Sequence, residues 1–536
     1  MNTQPVVFVA FEQFDNLGVG YISSVLSGAG YESVVIDFKQ EKWEILKTLK
    51  RIDPVIVGFA VIFQYHIYEF KELISFLRNE GLSCHFSAGG QYASLRYEDL
   101  FEIIPSIDSV VRFEGEYTFL DLVSCIYNGN NWKNISGIAY KNNGIIKVNP
   151  HRPVETDLDK FPIPKRSPLK EYALNKRFAT ILAGRGCVND CSFCFLREYY
   201  LESSGPFRRL RKPEEVVREM EILYIESDCS VFLFQDDDFP VKYGRGREWI
   251  DRLCKELKNK KLNEKIMWKI NCRPDEVDYD SFAMMKEHGL FLVFMGIEDG
   301  TDVGLTRLNK HMTVKKCKEG ITILKKLDIS IDYGFMLFQP STTYSSIREN
   351  LNFLGEIWGD GFAPVTYLKM MPYCATPIER ILRNEGRLKG IPGFYDYDFF
   401  DSSMNHYYAF TKDMLSSWLG DSDGLSNISK WARNYLSVFS HYFQKSPEIQ
   451  IISNDIKAAT SQSNLYLLDT LKSLAAIFES GRFNRGNLDE LTGYRGEINL
   501  MHNHYSELVN NSMSDLLKIA RRQKIYRSTS IFNNFT

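Results

Sequence analysis

Short apolar runs alternate with polar, helix-length stretches over the first 128 or so positions. Val6–Phe11, Ser33–Asp37, Val55–Phe59, Cys84–Ala88 and Ser109–Arg112 are rich in β-branched and aromatic residues, and each precedes a segment long enough for a helix. This pattern predicts an α/β fold opening with a doubly wound parallel sheet. Such sheets take ligands in the loops beyond the carboxyl ends of their strands. Here those loops begin at Phe11, Asp37, Phe59, Ala88 and Phe113, and glycines gather in them at Gly18, Gly20, Gly89 and Gly90.

Residues 134–148 read as a hairpin turned by Asn143-Gly144, a dipeptide suited to a two-residue turn. A Pro- and charge-rich linker from Pro150 to Ala173 follows. Strand-helix alternation resumes at Phe178–Leu182, Val231–Phe234, Ile266–Ile270, Phe291–Met295, Ile329–Phe335 and Pro364–Leu368. Six such units predict a partial (βα)6 barrel, whose chemistry gathers where strands end. After about residue 395 the pattern is helical and aromatic, and the last dozen polar residues are expected to fray. The expected domains are therefore 1–128, a hairpin and linker over 129–173, a barrel over 174–395 and a mostly helical 396–536.

Composition narrows the setting. Sixty-five basic residues against 68 acidic ones give a net charge of -3, with no overall electrostatic pull toward nucleic acid or an anionic membrane. The sequence has no run of eighteen apolar residues and no basic, then apolar, N-terminal leader, so a cytoplasmic protein without a membrane span is expected. Its cysteines are expected to be reduced, the scattered ones packed in cores.

Three cysteines stand apart. Gly184-Arg-Gly-Cys-Val-Asn-Asp-Cys-Ser-Phe-Cys-Phe195 places Cys187, Cys191 and Cys194 in one loop just past the first predicted barrel strand. Ten cysteines in 536 residues give only about 0.003 chance occurrences of that spacing. A four-iron cubane normally takes four thiolates, so three leave one iron open. Structural zinc wants four Cys or His ligands in paired spacing, and the sequence offers no second pair.

CxxxCxxC with an aromatic residue, Phe193, before the third cysteine resembles the radical S-adenosylmethionine (SAM) superfamily. The resemblance implies a [4Fe-4S] cluster whose open iron is chelated by SAM, which is cleaved to a 5′-deoxyadenosyl radical. On the same resemblance SAM is met by Phe193, by Asp236 and Asp237 after the second barrel strand, by Asn271 and Arg273 after the third, and by Gly296 and Glu298 after the fourth. Glu298 has a rival reading as an ion pair with Lys310. Gln339–Thr342 and Cys374 depart from the family's pattern, the latter replacing a proline.

The first domain resembles the cobalamin-binding domain that precedes many radical SAM domains, through Asn16, Leu17, Gly18 and Gly20, through Gly89, Gly90 and Gln91, and through Glu114, Gly115 and Glu116. Asp37 stands in a loop that in related cobalamin proteins supplies a histidine to cobalt; no histidine occurs there, which excludes an imidazole from that loop. Gly18 to Gly20 lacks the third glycine of a dinucleotide fingerprint, and NAD binding is not expected.

Together these features resemble the cobalamin-dependent (class B) radical SAM enzymes. The implied function is methylation of an unactivated carbon in a natural-product, lipid or peptide substrate, with a flavodoxin or ferredoxin as reductant. A cyclase or rearrangement enzyme using the same cofactors is the alternative, and an iron-sulfur redox sensor is the alternative of another class. A methylthiotransferase fits less well, because only Cys84 and Cys125 precede the linker.

Overall fold

The computed structural model describes residues 4–12, 15–241, 246–420, 423–444, 446–481 and 488–523. The expected fraying of the last dozen residues falls outside them. The chain forms two compact units, one drawn from Met1–Leu169, Gly184–Lys212 and Met371–Asp396, the other from Lys170–Ala183, Pro213–Met370 and Tyr397–Thr536.

In the first unit, β1 (Val6–Ala10), β2 (Ser33–Asp37), β3 (Ile56–Ala60), β4 (His85–Gly89) and β5 (Ser109–Val111) pair in parallel in the order β2-β1-β3-β4-β5. The predicted hairpin, β6 (Ile138–Asn142) and β7 (Ile145–Val148), extends this sheet antiparallel from β5. Helices on both faces explain why β1 is apolar at every position. Val7 and Val9 enter one core with Phe59, Phe70 and Phe86, while Val6, Phe8 and Ala10 enter the other with Phe119 and Leu122. The linker crosses helix Leu17–Gly28, where Ser24 Oγ donates to Ile163 O at 2.7 Å. A Cβ on Gly20 would stand 2.5 Å from Lys165 O.

The second unit holds a curled half-barrel of six strands in the order β15-β14-β13-β12-β9-β8, with β8 (Glu171–Ala173), β9 (Lys176–Ile181), β12 (Cys229–Phe234), β13 (Met267–Cys272), β14 (Leu290–Glu298) and β15 (Ser330–Phe335). The two-residue strands β10 (Gly184–Arg185) and β11 (Arg209–Leu210) pair separately, in the first unit. Two expectations change. The sixth parallel strand, Pro364–Leu368, does not form; the sixth place is taken by β8, antiparallel to β9, from within the predicted linker. The reason lies in the backbone donors: Val365 N–H goes to Asn464 Oδ1 at 2.7 Å and Thr366 N–H to the Tyr333 hydroxyl at 3.0 Å, so the segment meets β15 only at its end, through Leu368 N–H to Phe335 O at 2.9 Å and an isolated bridge between Phe338 and Lys369.

The C-terminal part is helical as expected, including Ser402–Met414, Leu425–Tyr442, Pro447–Glu479 and Leu488–Arg522. Helix Leu425–Tyr442 touches both edges of the open half-barrel. Trp431 meets Tyr172 of β8 with ring centroids 5.4 Å apart, and Ser437 Oγ lies 3.1 Å from Ser330 Oγ of β15.

Candidate functional site

The three cysteines lie on one loop of the first unit, all half-buried and outside any disulfide. Their loop is anchored on both sides. Gly184 and Arg185 pair antiparallel with Leu210 and Arg209, and Gly186 adopts φ +92° with Phe207 O only 1.8 Å from where a Cβ would stand. No other residue fits that approach. On the far side, Ile378 N–H donates to Ser192 O at 3.0 Å. Asn189 Nδ2 donates to Cys187 Sγ at 3.3 Å, as donors to ligating sulfur do in iron-sulfur proteins. No three His, Cys, Asp or Glu side chains among the described residues converge as they would on a single ion. A cubane does not ask for that, since it spreads its thiolates over separate irons.

Arg185 braces this loop to the first sheet. Its guanidinium sits 5.0 Å from both the Tyr21 and Phe161 ring centroids and pairs with Glu116 at 2.6 Å and Glu114 at 3.4 Å. Burial opposes its charge, but the two carboxylates outweigh that and hold it firmly protonated. Arg209 also pairs with Glu114 and donates to Glu155 O at 2.6 Å. Glu114 and Glu116, expected to touch cobalamin, thus have their carboxylates engaged by the cluster loop.

The other first-sheet candidates divide by what their neighbours require. Asn16 caps helix Leu17–Gly28, its side chain accepting from Val19 N–H at 3.1 Å, and Asp37 Oδ1 accepts Lys39 N–H at 3.1 Å. Gly90, at φ +109°, has Val61 O 2.8 Å from a would-be Cβ and is fixed by the protein's own backbone. Gly89 is not: its Cβ would meet only Val111 O, at 3.5 Å. Gly18 is similarly open, and Gly115 tight against Val111 and Ile22. Beside Gln91 opens a cleft that Phe63, Gln64, Tyr92, Phe195 and Tyr373 help to line. Phe63 is 40% exposed and stacks with Tyr65 at 5.4 Å. Open glycine backbone next to exposed aromatic faces suits a large flat macrocycle. The sequence reading named the loop after Phe59 but did not single out Phe63, Gln64, Phe195 or Tyr373, whose apolar and amide side chains carry no spacing signal. Cys374 is core: its N–H donates to Gln64 Oε1 at 2.8 Å and burial pushes its thiol up to about 12.

In the second unit the expected SAM contacts lie at the ends of β12, β13 and β14. Asp236 is buried, its Oδ2 accepting Ala183 N–H at 2.9 Å while Asn271 Nδ2 donates to its carbonyl at 2.9 Å. Asp237 is exposed. Arg273 is taken up by Asp275 at 3.0 Å and by the Lys310 carbonyl. Glu298 lies 3.7 Å from Lys310 Nζ, so the ion pair forms at the same strand end where a SAM contact is expected. A Cβ on Gly296 would stand 2.7 Å from Glu298 Oε1, which is the room that glycine provides. Burial raises the Glu298 carboxyl against the pull of Lys310, and its φ of +67° is one that non-glycine residues hold at a cost. Below them Lys269 donates to Asn271 Oδ1, and burial lowers its ammonium to about 8.

Residues 181–354 match the Radical SAM superfamily and residues 4–123 the B12 binding domain. An uncharacterised methyltransferase of Pyrococcus horikoshii is 28% identical over 343 residues, 63% of this chain and 72% of that protein. The anaerobic magnesium-protoporphyrin IX monomethyl ester cyclase of Rubrivivax gelatinosus is 26% identical over 351 residues, 62% of this chain and 60% of the cyclase, less than two thirds of its length. The cobalamin-dependent S-adenosylmethionine radical enzyme OxsB, solved with aqua-cobalamin and S-adenosylmethionine bound, superposes over 100% of this chain and 83% of its own with TM-score 0.65 and 18% identity, a likeness of fold.

Proposed function

We infer, from the premise that this chain belongs to the cobalamin-dependent radical SAM family and joins a B12-binding domain to a radical SAM domain, that it methylates an unactivated carbon. The observation that carries this reading is the presence in one chain of a three-cysteine loop and a sheet whose strand ends suit a corrin. When bound, the cluster with SAM supplies a hydrogen-abstracting radical and cobalamin supplies a methyl carrier. Cys187, Cys191 and Cys194 hold the cluster. Asp236, Asn271 and Glu298, at the ends of three neighbouring strands, offer carboxylate and amide oxygens to the ammonium and hydroxyl groups of SAM. Gly89 and the β3 loop seat the corrin. A natural product, lipid or peptide is the substrate, selected by the helical 396–536, and a flavodoxin or ferredoxin supplies electrons in the reducing cytoplasm. The methyltransferase of Pyrococcus horikoshii supports methylation; the cyclase of Rubrivivax gelatinosus supports the second reading, cyclisation without methyl transfer.

With reductant, methyl-deuterated SAM and substrate, a methyltransferase forms 5′-deoxyadenosine and S-adenosylhomocysteine in near-equal amounts and a product carrying the labelled methyl on a carbon that lost hydrogen. Product formed with 5′-deoxyadenosine alone and no label decides for the cyclase.

A further inference from the structure

We propose that His66, in the loop after β3, supplies the imidazole that faces the cobalt of bound cobalamin, held in position by Glu69. The inference rests on the cobalamin reading and adds to it a ligand that the Asp37 loop does not offer.

Three observations carry it. The first is place. The parallel strands run β2-β1-β3-β4-β5, and in sheets of this order the ligand crevice opens between β1 and β3, where successive helices leave on opposite faces. His66 belongs to the short turn Gln64–His66 that leaves β3, and its ring lies 4.7 Å from that of Phe11, the residue that follows β1. It therefore sits at that crevice.

The second is the orientation of the ring. His66 Nδ1 lies 2.5 Å from Glu69 Oε1. A carboxylate only accepts, so Nδ1 is the donor and Nε2 is the nitrogen left to meet a metal. Nε2 has no hydrogen-bond partner among the described residues, and the side chain is 17% exposed. A carboxylate on the remote nitrogen is how metal-binding histidines are usually oriented and made more basic. Glu69 is itself fixed by Lys39, whose Nζ stands 2.8 Å away. Lys39 comes from the Asp37 loop, which thus acts one step removed from the ring.

The third is the surface beside it. Phe63 and Tyr65 stack on each other in the same loop, Phe63 well exposed, and next to an imidazole they make a platform for a flat corrin. An i,i+3 ion pair built only to steady helix Ile67–Asn79 has no need of it.

The test uses the full chain and cob(II)inamide, a corrinoid without a nucleotide base, so that any axial nitrogen comes from protein. The expected EPR spectrum shows a triplet superhyperfine splitting, which becomes a doublet in protein carrying ¹⁵N-histidine and disappears in His66→Ala while the corrinoid stays bound. Glu69→Gln is expected to shift the spectrum of the wild-type complex; a spectrum unmoved by it removes Glu69's positioning role. Bound corrinoid without nitrogen splitting, or splitting that survives His66→Ala, overturns the role of His66 and leaves the cobalamin reading standing. Failure to bind cob(II)inamide and cobalamin alike overturns that reading itself.

Discussion

The two sheets finish their strands in opposite chemistry. The first ends β3 and β4 in Phe63, Tyr65, Gly89 and Tyr92, apolar or aromatic faces beside bare backbone. The second ends β12, β13 and β14 in Asp236, Asn271 and Glu298, polar groups sunk below the surface and already bonded to backbone or, for Glu298, paired with Lys310. The contrast follows the partner each would meet. A broad macrocycle gains from area and from backbone that does not stand in its way, whereas a small zwitterion with a ribose needs fixed oxygens, which must be satisfied while they wait. Much of the buried charge in the first unit is spent elsewhere, in the Arg185 and Arg209 brace.

The largest effect concerns the loop the contrast depends on. Cys187→Ala, Cys191→Ala and Cys194→Ala are each expected to abolish SAM cleavage in anaerobically reconstituted protein, while Cys84→Ala and Cys254→Ala leave it intact. Full cleavage by any of the first three would remove the cluster from this loop.

A double dissociation sharpens the comparison. Asp236→Ala and Glu298→Ala are expected to lower SAM cleavage by at least about tenfold while corrinoid binding is unchanged. Gly89→Val is expected to do the reverse, weakening corrinoid binding by about tenfold, since an added side chain meets little protein there. Titration of cobalamin and quantified 5′-deoxyadenosine give both readings; parallel losses in all three variants would merge the two sites. Asp236→Ala also strands the Ala183 N–H, at about 1–3 kcal/mol of stability.

The most local effect is a pH slope confined to the second sheet. Burial, with Asp238 beside it, raises the Glu276 carboxyl to about 8. Folding therefore favours its neutral form, a contribution complete below the unfolded value of 4.5 and lost as pH rises toward about 8. Denaturant unfolding at about pH 5 and about pH 8 is expected to differ by a few kcal/mol more in the native protein than in Glu276→Gln. Equal slopes would place that proton elsewhere.

Much of this was legible in the chain. Parallel strands buried on two faces leave unbroken apolar runs, so β1 to β5 declared themselves, and the cysteine spacing is too rare to overlook. Pro364–Leu368 misled because a β-branched, apolar run says nothing about where its backbone donors go, and here Asn464 and Tyr333 claim those of Val365 and Thr366. Glu114 and Glu116 looked like ligand contacts because a strand-end acid advertises its charge, while the Arg185 and Arg209 that meet it lie some 70 to 95 residues further along the chain. His66 drew no notice because the loop expected to hold a histidine was a different one.

Helix Leu425–Tyr442 carries a consequence for synthesis. A half-barrel has two bare edges, and unpaired strand edges invite pairing with other chains. Because the segment that touches both edges is made after all six strands, a nascent chain exposes β8 and β15 until residue 442 has emerged. Truncation before that point is expected to give insoluble protein even with every cofactor ligand present, and expression trials that trim the C-terminus are best kept downstream of it.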